Sequence, residues 1–162
     1  MRKNDIESTV ASVAIQQRLA EFFYELDVND GVGVADFYTE DGVFLVAGNT
    51  HAGRDVIARF YAERVKRIRS TQKDGMRTAR HLALNARMLF DDQDNARVGF
   101  VVLYFSGEGK PPLFDATTPS VVSDCQMEFR RESDGVWRIA MFASQPVFVG
   151  DDPFMKQAIL KR

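Results

Sequence analysis

The sequence predicts an α+β fold in which helices pack on one face of a curved antiparallel sheet and enclose a conical cavity. Two long runs before Gly75 carry apolar residues at helical spacing. After Gly75 the chain reads as four strands, at about 77–91, 96–107, 120–132 and 136–148. The turn segments "DDQDN" and "SDG", and one Pro-containing connection, separate those strands. The 162 residues read as a single domain, 1–162, long enough to bury a core without staples.

The elements follow in order. A first helix is expected from Asp5 to about Leu26, with Ile15, Leu19, Phe22, Phe23 and Leu26 on its apolar stripe and Ser8 placed to cap an inner start. "NDG" at 29–31 breaks it, "VADFY" at 34–38 forms a short second helix, and "EDG" turns into a brief strand, "VFLVAG". After Gly53, the positions Ile57, Phe60, Tyr61, Val65 and Ile68 mark a third helix. Its basic residues, Arg59, Arg64, Lys66, Arg67 and Arg69, read as a solvated face because Asp55 and Glu63 interrupt them.

The first long strand, "RTARHLALNARMLFDD", reads as buried on both faces. Period two places Leu82, Leu84, Met88 and Phe90 on one face, and Ala79, His81, Ala83 and Asn85 on the other. The Leu82 face is too apolar for water, so self-association through it is expected. "GKPPLFDATTPS" at 109–120 is an extended connection. The tail "GDDPFMKQAILKR" is expected to form a short amphipathic helix, with Phe154, Ile159 and Leu160 closing the cavity mouth, meeting a neighbouring subunit or simply closing the core.

Composition narrows the function. A net charge of −2 gives no reason to bind nucleic acid or an anionic membrane. The N-terminal segment lacks a long apolar run, so neither signal peptide nor membrane span is expected, and a soluble cytoplasmic protein is. A single cysteine, Cys125, excludes an internal disulfide and a cysteine-based zinc site. The two histidines lie about thirty residues apart with no clustered carboxylates, so no metal is expected. There is no phosphate-binding glycine loop and no G-x-S-x-G elbow. The 13 phenylalanines suit an apolar pocket as well as a core.

The order of elements, with "AIQQRLAEFFYELDVND", "FYTEDGVFLV", "HAGRDVIARFY" and "RRESDGVWRIAMF", resembles the nuclear transport factor 2-like superfamily in its SnoaL-like branch. The resemblance spans nearly the whole chain. It implies a curved antiparallel sheet wrapped around N-terminal helices, a conical cavity and homodimers or homotrimers. No single activity follows, since the fold hosts enzymes, binders and scaffold subunits. Asp27 in "YELDVND" and His81 in "RHLALN" resemble the Asp–His dyad of scytalone dehydratases and hexachlorocyclohexane dehydrochlorinases. There the histidine removes a proton from carbon and the aspartate orients it. "H-x-x-x-N" also matches the dehydrochlorinase strand. Beyond the dyad the chain departs from both. Leu26 and Val46 stand where the dehydratases place substrate-polarising tyrosines, and Phe22 and Phe142 where the dehydrochlorinases place a lysine and an arginine. Neither specific reaction carries over.

The residues themselves lead to the same pair. Asp27 follows Tyr24, Phe23 and Ala20 at spacings of three, four and seven, along the apolar stripe of the first helix. There it lies at the negative end of the helix dipole and needs a hydrogen-bonding or cationic partner. His81, flanked by the small Ala79 and Ala83, can supply one and keep open space beside its ring. A turn residue and a core histidine are the structural alternatives. If the pair serves chemistry, Asp27→Asn and His81→Gln are expected to leave stability unchanged or higher; if structural, each costs stability. Tyr24, Asn85, Tyr104 and Ser144 are candidate polar partners in the pocket, Phe23 and Phe142 candidate apolar ones, and His51 is expected in a solvated loop.

Three functions are compatible with these residues. The first is a cofactor-independent dehydratase, isomerase or cyclase using the dyad as general base on a small apolar cyclic or aromatic molecule. The second is a non-catalytic subunit resembling the β-subunit of ring-hydroxylating dioxygenases. The third is a small-molecule-binding module.

Overall fold

Ile15, Leu19, Phe22, Phe23 and Leu26 are buried on one stripe and hold α1 (Ile6–Val28) against the sheet. The computed structural model describes residues 6–114 and 118–160, so Asp5, the expected helix start, lies outside the described residues. Ser8 sits inside the helix rather than at its cap, and its carbonyl accepts the Ser12 hydroxyl at 2.8 Å. Phe22 is fully buried, with edge-on contacts to Phe23, Phe37, Tyr38 and Phe142. Truncating such a side chain to alanine costs about 3–5 kcal/mol.

A 3₁₀ turn (Val34–Phe37) leads into β1 (Tyr38–Val46), which is longer than the expected strand. β2 (Asn49–Ala52) folds back on β1 where a loop was expected. The two-residue connection, Ala47 and Gly48, has φ of 48° and 77°, the mirror-image turn that suits a hairpin. Alanine in place of the usual asparagine or aspartate hides that turn in the sequence. The chain continues through α2 (Arg54–Thr71), β3 (Arg77–Phe90), β4 (Asn95–Glu108), β5 (Val121–Arg131), β6 (Trp137–Val149) and α3 (Pro153–Leu160). No helix among the described residues is long and apolar enough to cross a membrane.

The strands form one curved sheet in the order β2-β1-β6-β5-β4-β3. It is mixed rather than wholly antiparallel, because β1 runs parallel to β6. Their register shifts between Tyr38 and Val43, around Gly42. A Cβ on Gly42 would lie 3.0 Å from the Thr39 carbonyl oxygen and 3.1 Å from that of Ile139, so the shift needs glycine. Further shifts interrupt the β3–β4 and β5–β6 ladders, and such irregularities bend a sheet. The core lies between the concave face and α1 with α2.

β3 is an edge strand, and its expected burial on both faces is corrected: Leu82, Leu84 and Leu89 are exposed. The pairing shifts between Leu84 and Arg87, where Asn85 adopts φ 56°. Before the bulge, Ala79, His81 and Ala83 face inward; after it, Met88 and Phe90 do, paired with the buried Val98 and Ala96. Simple alternation therefore misplaced Met88 and Phe90 on the outer face.

The outer face keeps an apolar row. Leu82, Leu103, Val122 and Phe148 stand in register across β3, β4, β5 and β6, with Leu84 beside Val101. Phe148 is 68% exposed and Leu82 41%. Burying such a row against a second copy removes it from water. Light scattering at micromolar concentration is expected to give a dimer or trimer, and Leu82→Glu with Phe148→Glu to dissociate it. A wild-type monomer would show that the face is stable in water alone.

Candidate active site

β3 forms the free edge of the sheet, so a backbone N–H on its open side lacks a strand to bond. That of His81 donates instead to Asp27 Oδ2, at 2.8 Å. The other carboxylate oxygen, Oδ1, lies 2.6 Å from His81 Nδ1. A carboxylate at that distance accepts, so Nδ1 carries a proton, and in the neutral ring Nε2 is the nitrogen with the lone pair. The Asp27 side chain is 8% exposed and that of His81 17%.

The imidazole is also held through its faces. Phe23, one helical turn before Asp27, stacks on it with centroids 5.2 Å apart, and Tyr104, its partner across β4, lies at 4.3 Å. Ring, backbone and carboxylate together fix one orientation of His81. The sequence treats a structural pair and a chemical pair as alternatives separable by melting. In the structure Asp27 completes the β3 edge and sets the histidine tautomer through the same carboxylate.

His81 lines a cavity of about 570 Å³. Leu26, Phe44, Val46, Phe60, Val102 and Phe142 supply apolar wall, and Phe154, Met155, Ala158 and Ile159 of α3 close one side. Leu26 and Val46 thus lie on the wall, while Phe22 belongs to the core. Tyr104 contributes a phenol whose buried hydroxyl has no partner among the described residues. Ser144 accepts the Cys125 thiol at 3.6 Å, and burial pushes that thiol up to about 11, so it stays protonated and unreactive. Burial also raises the Tyr61 phenol on the same wall, keeping it neutral.

Of the expected pocket residues, Tyr104, Phe142 and Ser144 line the cavity and Phe23 backs His81. Two do not belong. Tyr24 is 63% exposed, because the inward stripe passes through Phe23 and Leu26 instead. Asn85 forms the β3 bulge and faces solvent. His51 corrects the expectation in the other direction. On β2 its ring packs 4.5 Å from Phe60 and lines the cavity. Arg64 and Arg67 also line it, rather than forming a solvated face. Their spacing from Phe60, four and seven, was the available signal, masked by their charge.

A polar latch holds α3 in place. Asp152 Oδ1 accepts the backbone N–H groups of Phe154 and Met155, at 3.1 and 3.3 Å, capping the helix. Its Oδ2 accepts from the buried Arg77 guanidinium and from Ser106 Oγ, the latter at 3.1 Å. Phe154 and Ile159 face the cavity as expected, whereas Leu160 is 77% exposed.

Two outcomes follow. Asp27→Ala leaves the part-buried His81 N–H groups unpaired and is expected to cost about 1–3 kcal/mol. The melting midpoint should fall by roughly 2–4 °C per kcal/mol in a chain of this size. An unchanged midpoint would mean that the β3 edge does not need the carboxylate. Burial also holds His51 below the ordinary histidine value of 6.5. The unfolded chain then takes up a proton that the folded state resists, so stability is lost as pH falls through about 6.5. In urea unfolding, His51→Asn is expected to lose less stability between pH 7 and 5 than wild type; parallel losses would exclude this effect.

No curated protein matches the sequence. Solved structures match the fold at low identity. A proposed scytalone dehydratase of Novosphingobium aromaticivorans is 21% identical, with TM-score 0.71 over 90% of each chain. The hexachlorocyclohexane dehydrochlorinase LinA-type3 of Novosphingobium barchaimii is 16% identical, with TM-score 0.68 over 91% of this chain and 93% of that one. An NTF2-like protein with a cystatin-like fold, also from N. aromaticivorans, is 20% identical, with TM-score 0.64 over 99% of this chain and all of that one. The fold is thus nuclear transport factor 2-like. A SnoaL-like domain model matches residues 7–143, and the chain belongs to the SnoaL-like domain family.

Proposed function

We propose that the chain is a cofactor-independent enzyme in which Asp27 and His81 act as a general-base pair on a small apolar cyclic or aromatic molecule. The observation that carries this reading is the Asp27 carboxylate, gripping the ring N–H and backbone N–H of a histidine that lines a 570 Å³ cavity. With Nδ1 occupied, Nε2 is the nitrogen free to take a proton. Asp27 stabilises the imidazolium that results. The apolar wall beside the ring lowers the local polarity and strengthens that charge pair. The unpartnered Tyr104 hydroxyl beside the imidazole is placed to donate to a developing oxyanion or to a leaving group. Proton removal followed by loss of a leaving group is a dehydratase reaction. Return of the proton elsewhere is an isomerase reaction, and attack by the carbanion on a carbonyl is a cyclase reaction. The similarity to a proposed scytalone dehydratase and to a dehydrochlorinase supports chemistry of this class.

The test requires no knowledge of the natural substrate. Wild-type protein is expected to accelerate exchange of the α-protons of cyclic ketones such as 2-tetralone in D₂O, followed by NMR. His81→Gln and Asp27→Asn are expected to lower that rate by about 10²–10⁴, the second by reversing the ring tautomer. Exchange no faster than in buffer, despite binding, would make the chain a binding module. A rate unchanged in His81→Gln would exclude a histidine base.

A further inference from the structure

The cavity has a cationic side that the proton-transfer reading does not use. Phe60, Arg64 and Arg67 lie along one stripe of α2, and all three line the cavity. Neither guanidinium forms an ion pair or side-chain hydrogen bond among the described residues. Glu63, the acid beside them, is held by Lys66 at 2.7 Å. Arg67 Nε is buried without a partner, and the guanidinium lies 4.1 Å from the centre of the Phe154 ring.

Arg77 provides the contrast. It too lies over the Phe154 ring, at 4.5 Å, but its charge is matched by Asp152. Burial lowers the pKa of Arg67, and the charges of Arg64 and Arg77 lower it further. Glu63 also lines the cavity but is engaged by Lys66, so two guanidinium groups there lack a carboxylate partner among the described residues, and an anion would supply one. A guanidinium offers a planar fork of donors that matches a carboxylate.

We propose that Arg67, with Arg64 beside it, recognises a carboxylate on the ligand. The cavity then takes an aromatic or alicyclic carboxylic acid, its ring against the phenylalanine walls and its charge on the α2 side. This assignment rests on the cavity being the ligand site of the proposed enzyme, and not on proton abstraction by His81. It narrows the substrate class from apolar molecules to apolar acids. The base comes from β3 and the anchor from α2, so they engage different atoms of one ligand.

The experiment uses a matched pair of probes, 2-naphthoate and the neutral 2-naphthamide, titrated calorimetrically into the full chain. Wild type is expected to bind the acid at least about tenfold more tightly than the amide. Arg67→Gln should abolish that preference without weakening the amide. Arg67→Lys should retain part of it, since charge remains without the fork. Arg64→Gln, which leaves the Arg67–Phe154 stack in place, should reduce it. His81→Gln should leave it unchanged, so the preference can persist even where proton exchange fails. Equal binding of both probes to wild type would overturn the proposal, as would a preference that survives Arg67→Gln. Equal losses for acid and amide in Arg67→Gln would also overturn it, since that marks a packing effect through Phe154. Failure of wild type to bind either probe would overturn it together with the cavity's role as ligand site.

Discussion

Asp27 joins the end of α1 to the free edge of β3 through hydrogen bonds to the ring and the backbone of His81. Its position has a cost, because a carboxylate at a helix C-terminus is disfavoured by about 0.3–1 kcal/mol. Hydrogen bonds to a charged group contribute about 1.5–3 kcal/mol each, and Asp27 accepts two. The favourable terms therefore win, and the same contacts leave the histidine in one tautomer. Phe23 and Tyr104 then hold the imidazole plane. A single carboxylate thus links edge protection, helix docking and the tautomer of the ring.

The cavity beside this pair depends on two further devices. The kink at Gly42 lets β1 run alongside β6, which brings Phe44 and Phe142 into stacked contact at 5.2 Å on the inner face. The Asp152–Arg77 latch seats α3 so that Phe154 and Ile159 form a wall. Arg77 and Arg67 share the Phe154 ring but differ in their counter-ions. One is structural because its charge is matched internally. The other has no counter-ion among the described residues.

The outer face follows a separate logic. The bulge at Asn85 turns Met88 and Phe90 into the core, where Phe90 meets Trp137 edge-on at 6.4 Å. It leaves Leu82 and Leu84 outside, on the apolar row that continues through Leu103 and Val122 to Phe148. The strand that carries His81 inward therefore carries an exposed apolar surface outward. Substitutions on the two faces are expected to act independently, because the sheet separates them.

Local periodicity in the sequence determined the α+β class, the spans of α1 and α2, the four long strands and the inward stripe from Ile15 to Leu26. These are properties of neighbouring residues, so they are legible without the fold. Asp27 and His81 were also legible, because a carboxylate on an apolar stripe and a histidine between alanines each break a local pattern. Their pairing was expected from the resemblance and from the need of an inward carboxylate for a partner, and the structure brings them together across 54 positions of chain. Only the tertiary structure decided the face reversal at Asn85, because one residue in a left-handed conformation flips every side chain after it. It likewise decided the parallel pairing of β1 with β6, which depends on contacts remote in sequence. It also placed His51, Arg64 and Arg67 on the cavity and Tyr24 in solvent. A side chain's polarity predicts exposure only on average, and what stands opposite each position is settled when the sheet closes over the helices.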